Sequence, residues 1–137
     1  MPTLFTRIIE GELPGTFVWK DAECVGFLSI QPLKPGHTLV APRAEIDHWL
    51  DCPPALRDHL MSVAATIGTA IASAWSPARV GLMIAGLEVP HLHIHVSPIW
   101  EVDDLDFSKA TSASRDELED AATRIIDALT AAGHPGP

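Results

Sequence analysis

Three histidines stand at alternate positions, His91, His93 and His95, inside the run Pro90-His91-Leu92-His93-Ile94-His95-Val96-Ser97-Pro98. An imidazole with an ordinary pKa near 6.5 is largely neutral at neutral pH, so one ring nitrogen keeps a lone pair and can act as nucleophile or base. Residues two positions apart on an extended chain are separated by about 6.6 Å, which lets neighbouring rings address adjacent atoms of one ligand. A central His93 attacking phosphorus, while His91 or His95 binds phosphoryl oxygens or handles the leaving-group proton, suits phosphoryl and nucleotidyl transfer. The same spacing also permits chelation of a metal, with His37, His48 or a distant carboxylate as a third ligand.

Such a constellation needs a strand beneath it. In a strand, side chains alternate between faces, so His91, His93 and His95 share one face while Leu92, Ile94 and Val96 share the other. One face is left for chemistry and the other for the core. A helix would scatter the same residues around its axis.

The surrounding chain supplies elements of the right kinds. Phe5 to Glu12 carries a short helical stripe stopped by Leu13-Pro14-Gly15. Thr16 to Lys20 and Cys24 to Ile30 read as a hairpin around Lys20-Asp21-Ala22-Glu23, and His37-Thr38-Leu39-Val40-Ala41 as the next strand, ended by Pro42. Asp51-Cys52-Pro53-Pro54 offers a capping acid and first-turn prolines to a long amphipathic helix that runs through Leu56, Leu60, Val63, Ile67 and Ile71 to Ser76-Pro77. Val80 to Ala85 is a strand that pairs antiparallel with the histidine strand across the turn Gly86-Leu87-Glu88. After an acidic, unpatterned stretch from Glu101 to Ser112, Ser114-Arg115-Asp116-Glu117 offers a capping box to a last helix that stops at Gly133, and the tail from His134 reads as disordered. The expectation is an α+β domain with an antiparallel five-stranded sheet, a long helix and a C-terminal helix. Residues 1–112 form its main body, and 113–137 add that last helix and a flexible tail to the same domain.

Composition narrows the function classes. A length of 137 residues fits one domain, and 47% apolar with 20% charged residues fits a soluble globular chain. No apolar run reaches the roughly 18 residues that would cross a membrane, and the N-terminus has no secretory order of charged, apolar and small residues. The expected compartment is the cytoplasm, where Cys24 and Cys52 stay reduced. A net charge of -9 argues against a nucleic-acid polymer as partner. With so few cations, a phosphate would be held by imidazoles, backbone N–H groups and helix N-termini.

Two separated motifs carry a family resemblance. His91-Leu92-His93-Ile94-His95-Val96-Ser97 resembles the signature of the histidine triad (HIT) family. Upstream, Phe27-Leu28-Ser29-Ile30-Gln31-Pro32 followed by Pro35-Gly36-His37-Thr38-Leu39-Val40-Ala41-Pro42-Arg43 resembles the family's strand, turn and G-H-x-L-V-x-P-[KR] segment, and the stretch from Phe5 to Pro14 is similar to its opening. What the resemblance implies is a nucleotide hydrolase or transferase, of the nucleoside phosphoramidase or dinucleoside polyphosphate hydrolase type, that works through a covalent nucleotidyl-histidine and without metal or cofactor. His93 would be the nucleophile, its ring oriented by the carbonyl of His91, with His95 and His37 completing the phosphate site. Phe5, Ile8, Leu13, Phe27 and Ile30 would form the base and ribose pocket for a purine nucleotide. A homodimer with joined sheets is implied in the same way.

The chain also departs from the family pattern. Ser29 stands where an Asp commonly accepts hydrogen bonds from the ribose hydroxyls, so an anionic acceptor is replaced by a neutral hydroxyl. The turn before the triad is short, Ala85 offers no side-chain donor to phosphate, and Ser97 replaces an apolar residue. These departures sustain an alternative, a purine-nucleotide binding protein with weak or no catalysis. Of the other histidines, His48 and His59 read as surface residues, and Trp49, Trp75 and Trp100 read as packing or dimer-contact groups.

Overall fold

The computed structural model describes residues 2–137, and Met1 lies outside them. The chain order is α1 (Leu4–Ile9), β1 (Phe17–Lys20), β2 (Cys24–Leu28), β3 (Thr38–Pro42), α2 (Pro54–Trp75), β4 (Arg79–Met83), β5 (Ile94–Ile99) and α3 (Arg115–Ala131). The strands form one antiparallel five-stranded sheet in the order β1-β2-β3-β5-β4, so the architecture is the expected α+β one. No helix among the described residues is long and apolar enough to cross a membrane.

Strand alternation divides the sheet into two differently covered faces. On one, Cys24, Leu28, Val40, Leu92, Ile94 and Val96 pack with Leu60, Ile67 and Ile71 of α2 and Ala121, Ala122, Ile125 and Leu129 of α3. Fully burying a side chain such as Ile67 or Ile71 contributes about 1.5–3 kcal/mol, so this layer holds the domain together. Close approach of helix to sheet is set at Gly26, where an added Cβ would come 2.8 Å from Ile67 Cδ1. On the other face Val25, Phe27, Leu39 and Ala41 pack with Phe5 of α1. The histidines emerge on this second face.

Helix boundaries follow local chemistry, with one difference. The Ser114 and Glu117 capping box forms at α3, and Gly133 adopts φ +91° beyond its end. Asp51 does not cap α2: it belongs to a 3-10 turn, Trp49–Asp51, and the helix starts at Pro54 with Pro53 as N-cap and no side-chain cap. Prolines at the start lack the N–H groups that a capping acid would serve. The tail also differs from expectation at His134, whose N–H donates to the Leu129 carbonyl at 2.9 Å and whose ring sits 5.6 Å from that of Trp19.

The histidine strand starts later than its pattern suggests. Ordered pairing begins at Ile94, opposite Val40, so His95 lies in β5 while His91 and His93 lie in the lead-in. Two register steps beyond Val40, β3 reaches Pro42, which has no N–H to extend the ladder. The lead-in is fixed otherwise: Leu92 N–H donates to the Ile46 carbonyl at 2.6 Å, and His91 Nε2–H donates to the Pro42 carbonyl at 2.8 Å. Alternation survives, because Leu92 still enters the core while His91 and His93 face the other way.

Candidate active site

Hydrogen bonds assign the proton on each imidazole of the cluster. His93 Nδ1 lies 2.6 Å from the carbonyl of His91, which can only accept, so Nδ1 carries the hydrogen and Nε2 of the neutral ring has a free lone pair. His37 Nδ1 accepts from the Leu33 N–H at 3.0 Å, which places the hydrogen of neutral His37 on Nε2. That N–H donates 2.9 Å to His95 Nδ1, leaving His95 with its hydrogen on Nε2. The result is a lone pair on His93 beside an N–H donor on His95, in rings whose centroids are 4.8 Å apart. His91 is held from both sides: its Nε2–H is committed to Pro42, so Nδ1 accepts the Thr3 hydroxyl at 2.7 Å.

Burial favours the neutral forms of His37, His93 and His95. His37 is held down to about 4, first by burial and then by the charge His93 would carry, and His95 is held down to about 3 by burial, then by His37 and His93. Burial lowers His93 too, opposed by its hydrogen bond to the His91 carbonyl. An anion placed among the rings would reverse the balance, because opposite charge favours the protonated forms. The largely buried cluster can therefore offer one nucleophilic nitrogen and N–H donors to a phosphoryl group.

The apolar candidates divide into those at the histidines and those apart from them. The Phe5 ring lies 4.8 Å from that of His93, edge to face, and 5.4 Å from that of Phe27, while Ile8 and Phe17 pack on the same cluster. Leu13 is half-buried beyond the end of α1. Ser29 is half-buried at the end of β2, where its N–H donates to the His37 carbonyl and its hydroxyl accepts from the Gln31 N–H. Ile30 is 70% exposed, and its carbonyl accepts from the Ala113 N–H.

Two neighbours of the site had no place in the sequence reading. Thr3, which orients His91, is the N-cap of α1, and a Thr before an apolar stripe is a signal available from sequence. Phe107 lies in a 3-10 turn, Phe107–Lys109, with its ring 4.9 Å from that of His95 and 6.4 Å from that of His37. Nothing in the acidic stretch around it marks it. His48 is exposed, as expected, whereas His59 is half-buried, with Nε2 2.7 Å from Asp21 Oδ2, and is not a simple surface residue. Trp75 packs on Gly36, whose φ is +98° and whose Cβ position is 2.9 Å from the indole.

An antiparallel sheet on which β5 and its lead-in present three alternating imidazoles, joined by a fourth from His37 just before the neighbouring β3, defines a class of protein, and comparisons place the chain within it. The HIT domain pattern matches residues 10–101. An uncharacterized HIT-like protein of Saccharolobus solfataricus is 31% identical over 134 residues, covering 92% of this chain and 96% of that protein. Adenylylsulfatase HINT3 of Arabidopsis thaliana is 28% identical over 131 residues, covering 92% of this chain and 66% of that protein. Among solved structures, a hypothetical histidine triad nucleotide-binding protein of Sulfolobus tokodaii superposes with a TM-score of 0.82 at 27% identity, covering 93% of this chain and 91% of that one. The chain belongs to the HIT family, and that membership points to nucleotide-binding or hydrolase activity.

Proposed function

We propose that the protein hydrolyses or transfers a nucleoside monophosphate group through a covalent intermediate on His93. The observation that carries this reading is the 2.6 Å hydrogen bond from His93 Nδ1 to the His91 carbonyl, which aims an unprotonated Nε2 into the site. Nε2 attacks the α-phosphorus, a P–N bond forms, and the bond to the leaving group breaks with its electron pair going to that group; a leaving amine takes a proton from water, whereas sulfate or phosphate departs as the anion. The positive charge that develops on the ring is met at Nδ1–H by the His91 carbonyl. His95 Nε2–H donates to a phosphoryl oxygen, with His37 fixing that donor, and His91 supports the carbonyl side. Water then attacks phosphorus and loses its proton to solvent, while the P–N bond breaks and its electron pair returns to Nε2.

The nucleoside lies over the face bearing Phe5, Ile8, Leu13 and Phe27, with Ser29 towards the ribose and exposed Ile30 as an apolar contact for a purine. The Arabidopsis relative is named for an adenylyl substrate, which supports adenylyl compounds as the class to try first. Pairing of two copies through β4, an edge strand with Leu82 43% exposed, is the proposed homodimer contact.

Turnover of adenosine phosphoramidate, adenylyl sulfate and a dinucleoside polyphosphate tests the reading, beside calorimetry with AMP. His93→Ala should abolish turnover while circular dichroism stays unchanged, and retained turnover would remove His93 as nucleophile. Tight AMP binding by the unaltered protein without turnover or burst would favour the alternative, a nucleotide-binding protein in which Ser29 has replaced the charged ribose acceptor.

A further inference from the structure

On the sheet face opposite the triad, the β1–β2 turn and α2 bring together side chains that the nucleotide chemistry does not use. Asp21 lies in the turn, Cys24 opens β2, and His59 comes from the second turn of α2, 38 positions after Asp21. Asp21 Oδ2 is 2.7 Å from His59 Nε2 and 3.4 Å from Cys24 Sγ, and one ligand atom from each residue lies within 4.8 Å of the others. A carboxylate oxygen of Glu23 is 3.8 Å from His59 Nε2. From this convergence we propose that Asp21, Cys24 and His59 bind Zn²⁺, with Glu23 as the fourth ligand, pinning the β1–β2 turn to α2.

The donor set suits that ion. One sulfur, one imidazole nitrogen and carboxylate oxygens are the mixture that borderline-soft, tetrahedral zinc accepts, whereas calcium and magnesium take oxygen alone. Zinc bonds of about 2.0–2.3 Å in a tetrahedron separate ligand atoms by roughly 3.3–3.8 Å. The sulfur to carboxylate and imidazole to Glu23 distances already fall there, and the Asp21 to His59 pair opens by less than about 1 Å as its hydrogen bond gives way to the metal.

The carboxylate is also preset from outside the site. The backbone N–H groups of Glu23 and Cys24 donate to Asp21 Oδ1 at 2.7 and 2.8 Å, and the Trp19 indole N–H donates to Oδ2 at 2.8 Å, the kind of outer support that metal-binding carboxylates carry. Arg43 donates its Nε–H to the Asp21 carbonyl and not to the carboxylate. Cys24 is fully buried, while the side chains of His59 and Glu23 are 34% and 57% exposed and open the site to an incoming ion. On binding, the Cys24 thiol releases its proton to solvent, and His59 gives up the hydrogen on Nε2 so that the Nε2 lone pair reaches the metal. No electron is transferred.

Cobalt(II) titration of the reduced, chelator-treated full chain, followed by absorbance, tests the site apart from the triad. One equivalent should produce a thiolate-to-cobalt charge-transfer band in the near ultraviolet and tetrahedral visible bands, both bleached by one equivalent of Zn²⁺. Cys24→Ser should remove the charge-transfer band. His59→Gln, at a half-exposed position that tolerates substitution, should weaken binding at least about tenfold. His93→Ala should leave both bands in place. The absence of a saturable spectrum would overturn the proposal, as would a spectrum that survives Cys24→Ser and His59→Gln or one lost in His93→Ala. If Cys24→Ser fails to fold, His59→Gln and Glu23→Gln decide the matter by the same spectra.

Discussion

Substituting His37 with leucine separates the alignment of the histidines from their chemistry. His37 spends one nitrogen on the Leu33 N–H and the other on His95 Nδ1, at 3.0 and 2.9 Å, and it is buried at 1% exposure. Leucine fills much of the space and makes neither bond. The orphaned Leu33 N–H costs about 1–3 kcal/mol, which lowers the melting temperature by roughly 3–10 °C in a domain of this size. The larger effect falls on His95: with nothing donating to Nδ1, its proton is free to sit there, and Nε2 then turns a lone pair instead of an N–H towards the phosphoryl oxygen. Losing one such donor reduces kcat by about 10²–10³.

His37→Gln keeps an amide donor towards His95 and should recover a large part of that loss. Long-range ¹H–¹⁵N correlation of the ring nitrogens reads the tautomers without any substrate: His93 should carry its hydrogen on Nδ1, and His37 and His95 on Nε2. Finding His95 with its hydrogen on Nδ1 in the unaltered protein would refute the relay. So would a His37→Leu variant that changes neither the His95 tautomer nor kcat.

The buried neutral histidines also make stability depend on pH. His37 titrates near 6.5 when unfolded and near 4 when folded, so between those values the unfolded chain binds more protons and stability rises with pH. About 3 kcal/mol from His37 alone should be lost as pH falls through this window, with His95 acting in the same direction. Urea denaturation from pH 7.5 to 4 measures it, and a flat profile that His37→Leu leaves unchanged would contradict it. At Phe107, 40% exposed over the His95 ring, alanine should cost under about 1 kcal/mol of stability. Because its ring covers His95, its loss should nevertheless change the ratio of kcat/KM between two adenylyl substrates that differ only in leaving group; an unchanged ratio would show that Phe107 does not face the leaving group.

How much of this was legible in the sequence depends on the range of the interaction concerned. Alternation at 91–96 gave the two faces correctly, since each residue's side is decided by its immediate neighbours. The strand boundary was misplaced by three residues because the ladder is stopped by Pro42, on a different strand and some fifty positions away. Capping at Ser114 was readable because donor and acceptor lie three residues apart, whereas Asp51 had a suitable side chain in front of prolines with no N–H to accept it. Phe107 and the partnership of His59 with Asp21 could not be read at all. Both arise where a turn or helix crosses another element, and no local periodicity encodes that crossing.

His37 shows how far register reasoning extends once the strand order is known. Thr38 pairs with Val96 and Leu39 with His95, so the next step places His37 opposite Ser97 and diagonal to His95 on the same face. Diagonal neighbours in an antiparallel pair lie within reach of long side chains, and the two imidazoles meet along that diagonal. The same geometry gives a reason for serine at 97: a bulky residue directly opposite His37 would compete with the two rings for one patch of sheet. Ser97 is instead 1% exposed and turns its hydroxyl to the Pro98 carbonyl. Ser97 is thus small enough to floor the histidine pair, with its hydroxyl turned to the main chain.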